Sequence, residues 1–411
     1  MQSPATPAAT PRRERLLTAW LGLSMALMFC GLLVFPSRTS LMNALDAVFF
    51  LPALIVVLVA ARHRPLELVT RWPLLWIFLL YATLSTYYSP SPNPSRFLRA
   101  MIELFVLFSA FELFVRRWPG AFWRAVLIGI AAAAVAAAVD FYAYYFIVGR
   151  PFDNQLYGVF ERFEITPWLV LDTNQLYASM YCITLPFFAF FASRQLPPAR
   201  WVRVLPWLTT LTLLVYLAAN QRRSTLVALA VGCLALPVLT GTRRLLVPLA
   251  VLALVLGAIV AVDPAIITER GASERPALWS ASWEHIKEAP VFGHGMANRS
   301  VDLHILNAQG EPVVHDHPHN YYLSLLYFIG FAGLLLWTLL WLPEGLRALR
   351  YHRRHTVLLL AALATGFSAV LFDGIHPYTP FMYNWPSVWI PMALLVAVVR
   401  QLPADSAGDP R

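Results

Sequence analysis

Residues 319–343 read HNYYLSLLYFIGFAGLLLWTLLWLP, a long apolar run that is entered from a polar segment. A helix needs about 20 apolar residues to cross a bilayer, and residues 321–343 reach that length. The polar pair His319-Asn320 therefore lies where the chain passes from water into lipid. A histidine at such a boundary can take a proton from a substrate that is itself anchored in the membrane.

The composition of the whole chain points to the same environment. Hydrophobic residues make up 59% of the 411 residues and charged residues 13%, whereas about a quarter of a soluble domain is charged. The mean hydropathy is +0.61, so we predict a polytopic membrane protein. The three cysteines, Cys30, Cys182 and Cys233, all lie inside apolar runs, which gives no sign of a disulfide framework.

Twelve apolar segments qualify as spanning helices, and they predict an all-α polytopic membrane protein with about 12 transmembrane helices. A spanning helix takes roughly 17–25 residues. The fifth segment is longer, so we expect it to be tilted or to protrude. The segments are 16–36, 43–61, 72–88, 98–115, 121–148, 176–193, 201–219, 224–241, 245–262, 321–343, 356–374 and 385–401.

The distribution of arginine gives an orientation. If the N-terminus is cytoplasmic, the inner segments hold twenty basic residues and the outer segments eleven. Cytoplasmic loops are enriched in Lys and Arg, so we expect both termini inside. This bias also explains the basic pI of about 9.7 without nucleic-acid binding. The predicted divisions are nine spans (1–262), a large outer loop with short helices (263–320), three spans (321–401) and a cytoplasmic tail (402–411).

The large outer loop has secondary structure of its own. Its stretch 273–289 predicts an amphipathic helix, which Ser273 can cap and whose first turn Pro276 fits. Pro290 ends this helix, and Gly293-His294-Gly295 forms a turn.

Several arginines on the predicted outer side depart from the inside bias and need another explanation. Arg222 and Arg223 fill a very short outer turn, while Arg275 lies in the large loop and Arg162 in the segment 149–175. Guanidinium groups bind phosphate oxygens in pairs. Arginines from separate loops therefore predict a site for a polyanionic ligand. In the alternative interpretation, adjacent arginines reach out to lipid headgroups.

Carboxylates inside predicted spans support a polar cavity on the outer side. Charged side chains within a bilayer are costly and usually face a polar interior. Glu112, near an inner end, is expected to pair with Arg116 one turn on. Those near outer ends are Asp46, Glu103, Asp140 and Asp373.

The segment His315-Asp316-His317-Pro318-His319 allows two interpretations. Alternating histidines can bring two imidazoles to one metal ion. Pro318 interrupts any regular spacing, however, and no carboxylate motif elsewhere completes a ligand set. The other interpretation is that His319 acts by itself as a base.

These residues together resemble the O-antigen ligase/polymerase superfamily, over about residues 220–340. The run His319-Asn320-x9-Gly330-x-x-Gly333 is similar to its signature. The superfamily has a Ser-Arg-Gly-like sequence where this chain has Arg222-Arg223-Ser224, so either arginine can be the equivalent one. Further similar features are Arg275-x3-Trp279, Pro290-x-x-Gly293-x-Gly295, Arg223 before its span, and Arg162 followed by Asn174.

The resemblance implies an inverting glycosyltransferase of GT-C-like fold that uses no metal and no cofactor. It implies a bacterial inner-membrane protein whose outer loop is periplasmic and whose donor is an undecaprenyl-diphosphate-linked glycan. His319 is then the candidate base. The diphosphate would be bound by Arg222 or Arg223, Arg275 and Arg162. The candidates for supporting roles are Asn320, Asn174, Asp373 and Trp279.

Three reactions compete within the superfamily. A ligase moves O-antigen to lipid A–core, a polymerase extends the O-antigen, and a protein O-oligosaccharyltransferase moves a glycan to Ser or Thr. One large outer loop favours the ligase. A lipid or glycan transporter is the alternative from another class, but the charges lie toward one face and no repeated pair of broken helices is visible.

Overall fold

The computed structural model describes residues 11–35, 37–147, 162–166, 169–172, 180–220, 222–242, 274–297, 302–306, 310–374 and 376–403. Within these ranges the chain is mainly α-helical, as predicted, with two short antiparallel hairpins. It forms two compact units, Met1–Val56 with Leu113–Gln221, and Val57–Glu112 with Arg222–Arg411.

The elements are numbered in chain order. The helices are α1 (Pro11–Val34), α2 (Arg38–Leu45), α3 (Leu51–Ala61), α4 (Leu66–Thr70), α5 (Pro73–Leu84), α6 (Pro94–Arg117), α7 (Pro119–Tyr142), α8 (Leu185–Arg194), α9 (Arg200–Ala219), α10 (Arg223–Thr240), α11 (Arg275–Glu288), α12 (Tyr321–Tyr351), α13 (Arg353–Phe372) and α14 (Ile390–Val399). Strands β1 (Arg162–Thr166) and β2 (Leu169–Asp172) pair with each other, as do β3 (Leu303–Leu306) and β4 (Pro312–His315).

Six helical stretches among the described residues are long and apolar enough to cross a membrane. They are Arg12–Val34, Arg38–Ala61, Pro119–Ile147, Arg200–Ala219, Tyr321–Tyr351 and Arg353–Phe372. Shorter apolar helices cover Pro73–Tyr88, Met180–Arg194, Ser224–Thr240 and Trp385–Val399. The predicted span 98–115 lies on α6, which carries several charged residues. The predicted span 245–262 lies outside the described residues, so the number of twelve spans stays a prediction.

The first unit is built on the packing of α1 along α7. A Cβ on Gly129 of α7 would lie only 2.6 Å from Cβ of Met25, so glycine allows the two helices to approach closely. The Tyr216 hydroxyl of α9 donates a 2.5 Å hydrogen bond to buried Asp140 on α7. Helix α7 continues as a π-helical turn to Ile147, which accounts for the unusual length of the fifth predicted span.

The second unit contains most of the candidate site residues, and it includes α12 and α13. Helix α14 is buried along its whole length. Buried Glu112 pairs with Arg71 at 2.8 Å and lies 3.5 Å from Arg400. A buried carboxylate is tolerated where the fold brings cations to it. The predicted pairing of Glu112 with Arg116 stays a prediction.

The described parts of the large loop consist of α11 and the β3–β4 hairpin. Leu278 of α11 packs against Leu303 and Ile305 of β3. Pro276 lies in the first turn of α11, as predicted, but Glu274 takes the N-cap position. Ser273, which was predicted to cap this helix, lies outside the described residues, so that cap stays a prediction. The hairpin was not predicted, because strands of four residues are too short to show a clear alternating pattern.

Candidate active site

Asp373 is the centre of a cluster that joins distant parts of the second unit. It follows the last residue of α13, and its side chain is 1% exposed. Arg222 forms an ion pair with its Oδ2 atom, and Nη2 of Arg275 lies 3.6 Å from the same oxygen. Nδ1 of His319 lies 3.2 Å from Oδ1. A carboxylate this deeply buried is tolerated because cations and a hydrogen-bond donor surround it.

Two guanidinium groups share one carboxylate in this cluster. Arg222 and Arg275 are each partly exposed. Partly exposed guanidinium groups can bind the oxygens of a phosphate while they keep a shared carboxylate partner.

The buried segment after α13 fixes the position of Asp373. A Cβ on Gly374 would lie 2.9 Å from Cα of Tyr321, so the two backbones touch. The Tyr321 hydroxyl donates a 2.9 Å hydrogen bond to the carbonyl of Pro377. The segment is thus held against the first turn of α12, beside His319.

Asn320 caps α12, and this cap sets the direction of His319. The Asn320 side chain accepts hydrogen bonds from the backbone N–H groups of Tyr322 at 2.9 Å and Leu323 at 3.1 Å. His319 has φ of 50°, in the left-handed region that non-glycine residues rarely adopt. Such backbone strain is found where the surrounding structure imposes a functional orientation. The supporting role predicted for Asn320 stays a prediction, and this cap gives it a physical basis.

The environment of His319 fixes its protonation state. The Asp373 carboxylate can only accept, so Nδ1 of His319 donates and Nε2 keeps its lone pair. Burial, followed by the charges around it, lowers the pKa of His319 to about 3. Those charges are, in decreasing order, His317, Arg275, His315 and Arg222. The imidazole is therefore neutral at pH 7 and presents a free acceptor nitrogen.

The structure distinguishes the two adjacent arginines only in part. Arg222 takes the N-cap position of α10, and its Nε atom donates to the Ser224 hydroxyl at 3.3 Å. Its Nη2 atom reaches Asp373. Arg223 begins α10, and its side chain lies outside what the structure describes. The described geometry therefore joins Arg222 to the cluster.

Arg275 and Trp279 lie one turn apart on α11, so they share a face of that helix. The Trp279 ring lies 6.4 Å from the ring of Phe372, the last residue of α13. This contact holds α11 beside the end of α13, where Asp373 follows. Trp279 thus fixes the helix that carries Arg275.

Gly293 and Gly330 meet at a break in helix α12. Gly330 has φ of 62° and breaks the helix. A Cβ on Gly293 would lie 2.6 Å from the backbone nitrogen of Gly330, so the two segments are in direct contact. The freed backbone groups of residues 327–332 are bonded by residues 290–295. The pairs are His294 N to Tyr327 O, Gly295 N to Phe328 O, Phe331 N to Pro290 O and Ala332 N to Val291 O.

Tyr81 completes this interruption and was not predicted. Its hydroxyl donates a 2.9 Å hydrogen bond to the carbonyl of Ile329, which the break frees. An unpaired carbonyl in a membrane helix is costly, so this bond is a structural requirement. The sequence carries no signal for it, because a tyrosine on an apolar helix is common and its partner lies 248 residues away.

Each of the three histidines in this segment contacts a carboxylate of its own. His315 Nε2 lies 2.8 Å from Glu274 Oε2, His317 bonds to Asp316, and His319 bonds to Asp373. Among the residues that the structure describes, no three His, Cys, Asp or Glu side chains are grouped so that they could hold a metal ion.

Two of the candidate residues are not placed with this cluster. Arg162 begins β1 in the first unit, and its side chain is not described. Asn174 lies outside the described residues. Their predicted roles stay predictions.

Comparison with known proteins shows what the chain is similar to. Residues 208–338 match a family model described as O-antigen ligase. The chain is also 27% identical over 418 residues to a Pseudomonas aeruginosa protein named O-antigen ligase, covering 96% of this chain and 95% of that relative. Both matches include Arg222, Arg275 and His319, and the second extends over Asp373. The chain is therefore an enzyme of the glycosyltransferase type, and it is similar to O-antigen ligases over most of its length.

Proposed function

We propose that this protein transfers O-antigen polysaccharide from undecaprenyl diphosphate to lipid A–core oligosaccharide, with inversion at the anomeric carbon. The reaction takes place at the periplasmic face of the bacterial inner membrane, and both termini are cytoplasmic. The observation that carries the proposal is that His319 lies 3.2 Å from the same buried Asp373 carboxylate with which Arg222 and Arg275 pair.

The donor is held through its diphosphate. Arg222 and Arg275 bind the phosphate oxygens, and Arg223 and Arg162 are further candidates for this role. As the bond between the anomeric carbon and the phosphate oxygen breaks, negative charge grows on the diphosphate. Guanidinium groups already in place stabilise this charge more in the transition state than in the ground state, which lowers the barrier.

The acceptor is activated from the opposite face. His319 Nε2 takes the proton of the attacking hydroxyl while that oxygen bonds to the anomeric carbon. The electron pair of the breaking bond stays with the leaving phosphate. Asp373 keeps Nδ1 protonated and so keeps the reactive nitrogen free. Asn320 holds the backbone of His319, and Trp279 holds α11. The mechanism uses protein side chains only.

The donor enters sideways from the bilayer, and lipid A–core is held in the outer leaflet with its acceptor hydroxyl toward the site. The outer carboxylates and arginines of the sequence support a cavity open to that side. A preactivated donor is needed because ATP is absent from the periplasm. A lipid-linked diphosphate sugar carries its own activation.

The test is an in vitro transfer reaction. Purified protein, undecaprenyl-diphosphate O-antigen and lipid A–core are mixed in detergent with a chelator, and the products are separated on a gel. We expect a ladder of O-antigen on lipid A–core for the wild type. His319→Ala should reduce transfer by about 10²–10⁴-fold, the usual contribution of a general base.

The matched control is His304→Ala, because His304 is an exposed histidine on β3 of the same loop. It should transfer at the wild-type rate. Near wild-type transfer by His319→Ala would contradict the assignment of the base. Longer glycan on the donor lipid, with none on lipid A–core, would mean that the protein is a polymerase instead.

A further inference from the structure

A second histidine lies against the candidate base. The ring centroids of His317 and His319 are 3.9 Å apart, and the ring planes are inclined by 49°. His317 bonds through Nδ1 to Asp316, in the way that His319 bonds through Nδ1 to Asp373. The loop thus places two carboxylate–imidazole pairs side by side.

Both rings have the same tautomer. A carboxylate accepts hydrogen bonds, so each Nδ1 atom carries the proton and each Nε2 atom is an acceptor. The Nε2 atom of His317 is buried and has no hydrogen-bond partner among the described residues. A buried acceptor without a donor is costly. A state in which an N–H or O–H donor lies next to Nε2 of His317 is therefore favoured.

The two rings differ in their electrostatic surroundings. His319 lies among arginines, which disfavour a proton on it. His317 has the carboxylate of Asp316 as its partner, and that carboxylate is 75% exposed to solvent. Burial lowers the pKa of His317, the hydrogen bond and the charge of Asp316 raise it, and His315 lowers it further. A proton that arrives on His319 is thus more stable on His317.

We propose, on the basis of the ligase reaction above, that His317 and His319 together form a two-histidine base. His319 Nε2 takes the proton as the acceptor oxygen bonds to the anomeric carbon and the bond to the diphosphate breaks. The proton then passes from Nε2 of His319 to Nε2 of the adjacent His317. His319 returns to its neutral form, and the imidazolium of His317 is paired with the carboxylate of Asp316.

The charged and titratable groups around the pair favour this direction of transfer. Two arginines and a buried carboxylate face His319, whereas a solvent-exposed carboxylate faces His317. Glu274 is occupied by His315. The full set comprises Arg222, Arg275 and Asp373 around His319, Asp316 beside His317, and the pair of His315 and Glu274 next to them.

Substitutions can separate proton acceptance from ring packing. His317→Phe keeps a flat ring beside His319 but removes the acceptor nitrogen. His317→Gln gives up the ring and keeps an acceptor oxygen. Asp316→Asn keeps His317 and removes its charged partner. His304→Phe makes the same chemical change on exposed β3 and serves as the control.

The experiment measures kcat and the KM values of donor and acceptor for these variants, with kcat followed from pH 4 to pH 8. We expect His317→Phe to lower kcat by about 10-fold or more, part of the ~10²–10⁴-fold of a general base, with both KM values within twofold of wild type. His317→Gln should recover part of the loss. Asp316→Asn should lower the plateau of kcat and move its acid limb to lower pH, because its charge no longer favours a proton on His317.

The outcomes separate this inference from the proposed function. Wild-type kcat and an unchanged acid limb in His317→Phe, with His319→Ala inactive, would overturn the two-histidine base and leave His317 as a packing residue. If the wild type makes no ligated product, or His319→Ala remains active, the proposed function fails first and this inference fails with it. A rate loss with a shifted acid limb in both His317→Phe and Asp316→Asn supports it.

Discussion

Replacing Asp373 by Asn tests the centre of the candidate site with the smallest change of shape. The substitution removes a negative charge that lies 3.6 Å from Nη2 of Arg275 and 3.2 Å from Nδ1 of His319. It leaves the two guanidinium groups of Arg222 and Arg275 beside a neutral amide. The amide can also turn its N–H₂ group toward His319, which favours the tautomer with a protonated Nε2 atom.

The magnitudes follow from this geometry. Unit charges about 4 Å apart attract by about 4 kcal/mol at an effective dielectric constant near 20. Removing one partner of a buried pair usually costs about 3–5 kcal/mol, and Asp373 is 1% exposed. We therefore expect the free energy of unfolding to fall by that order. We also expect kcat to fall by about 10²–10⁴-fold, because the base loses its orientation and its tautomer.

The assay separates these two effects. Melting in detergent reports stability, and transfer kinetics are measured at a temperature where the variant is folded. The KM of the donor should stay the same or decrease, because Arg222 and Arg275 no longer share their charge with a carboxylate. Asp302→Asn, which changes an exposed carboxylate of the same loop, is the control. A folded Asp373→Asn variant whose kcat is within threefold of wild type would refute the reasoning.

Three further predictions concern stability and pH. In Gly374→Ala the new Cβ would lie 2.7 Å from Cβ of Tyr321. We expect overpacking to lower the free energy of unfolding by about 1–3 kcal/mol, and misplacement of Asp373 to lower kcat by about 10²-fold. Wild-type kinetics would contradict this prediction. Arg400→Met removes a guanidinium group 3.5 Å from buried Glu112. The free energy of unfolding should fall by about 1–3 kcal/mol, which is less than the loss of a fully broken buried pair. An unchanged melting temperature would refute this prediction. The pKa of His319 is lowered to about 3 in the fold, so below about pH 6.5 the unfolded chain binds the proton first and the wild type loses stability as the pH falls. His319→Gln lacks this loss, so its melting temperature should rise relative to wild type between pH 7 and pH 4, and a constant difference would argue against the lowered pKa.

Hydropathy predicted the helices well because a membrane segment must be long, apolar and internally hydrogen-bonded. The apolar run after His319 is helical from Tyr321, and it continues beyond the predicted end at residue 343 to Tyr351. The extension is amphipathic and polar, so apolar length gave no sign of it. The break at Gly330 could not be predicted from hydropathy either, because a lone glycine is tolerated within a helix.

The site itself was predicted in its residue types but not in its connections. His319, Arg222 and Arg275 were recognised as candidate residues from their position on the outer side. Asp373 was predicted to have a supporting role, but its pairing with Arg222 and Arg275 was not predicted. Its link to Arg222 spans 151 residues and depends on how α10 and α13 pack. Such long-range pairings are set by tertiary packing, which periodicity and spacing do not encode.

The family signature combines two physical requirements in one stretch of chain. Gly293 and Gly330 allow a helix to break within a membrane protein, because residues 290–295 bond the backbone groups that the break frees. His319 and Asn320 stand at the start of the same helix and carry the candidate chemistry. A rigid partner for the broken helix fixes its first turn, and that turn fixes both His319 and the segment of Asp373. The glycines therefore act on the reaction through the placement of the base, which explains why residues far from the proton transfer belong to the same signature.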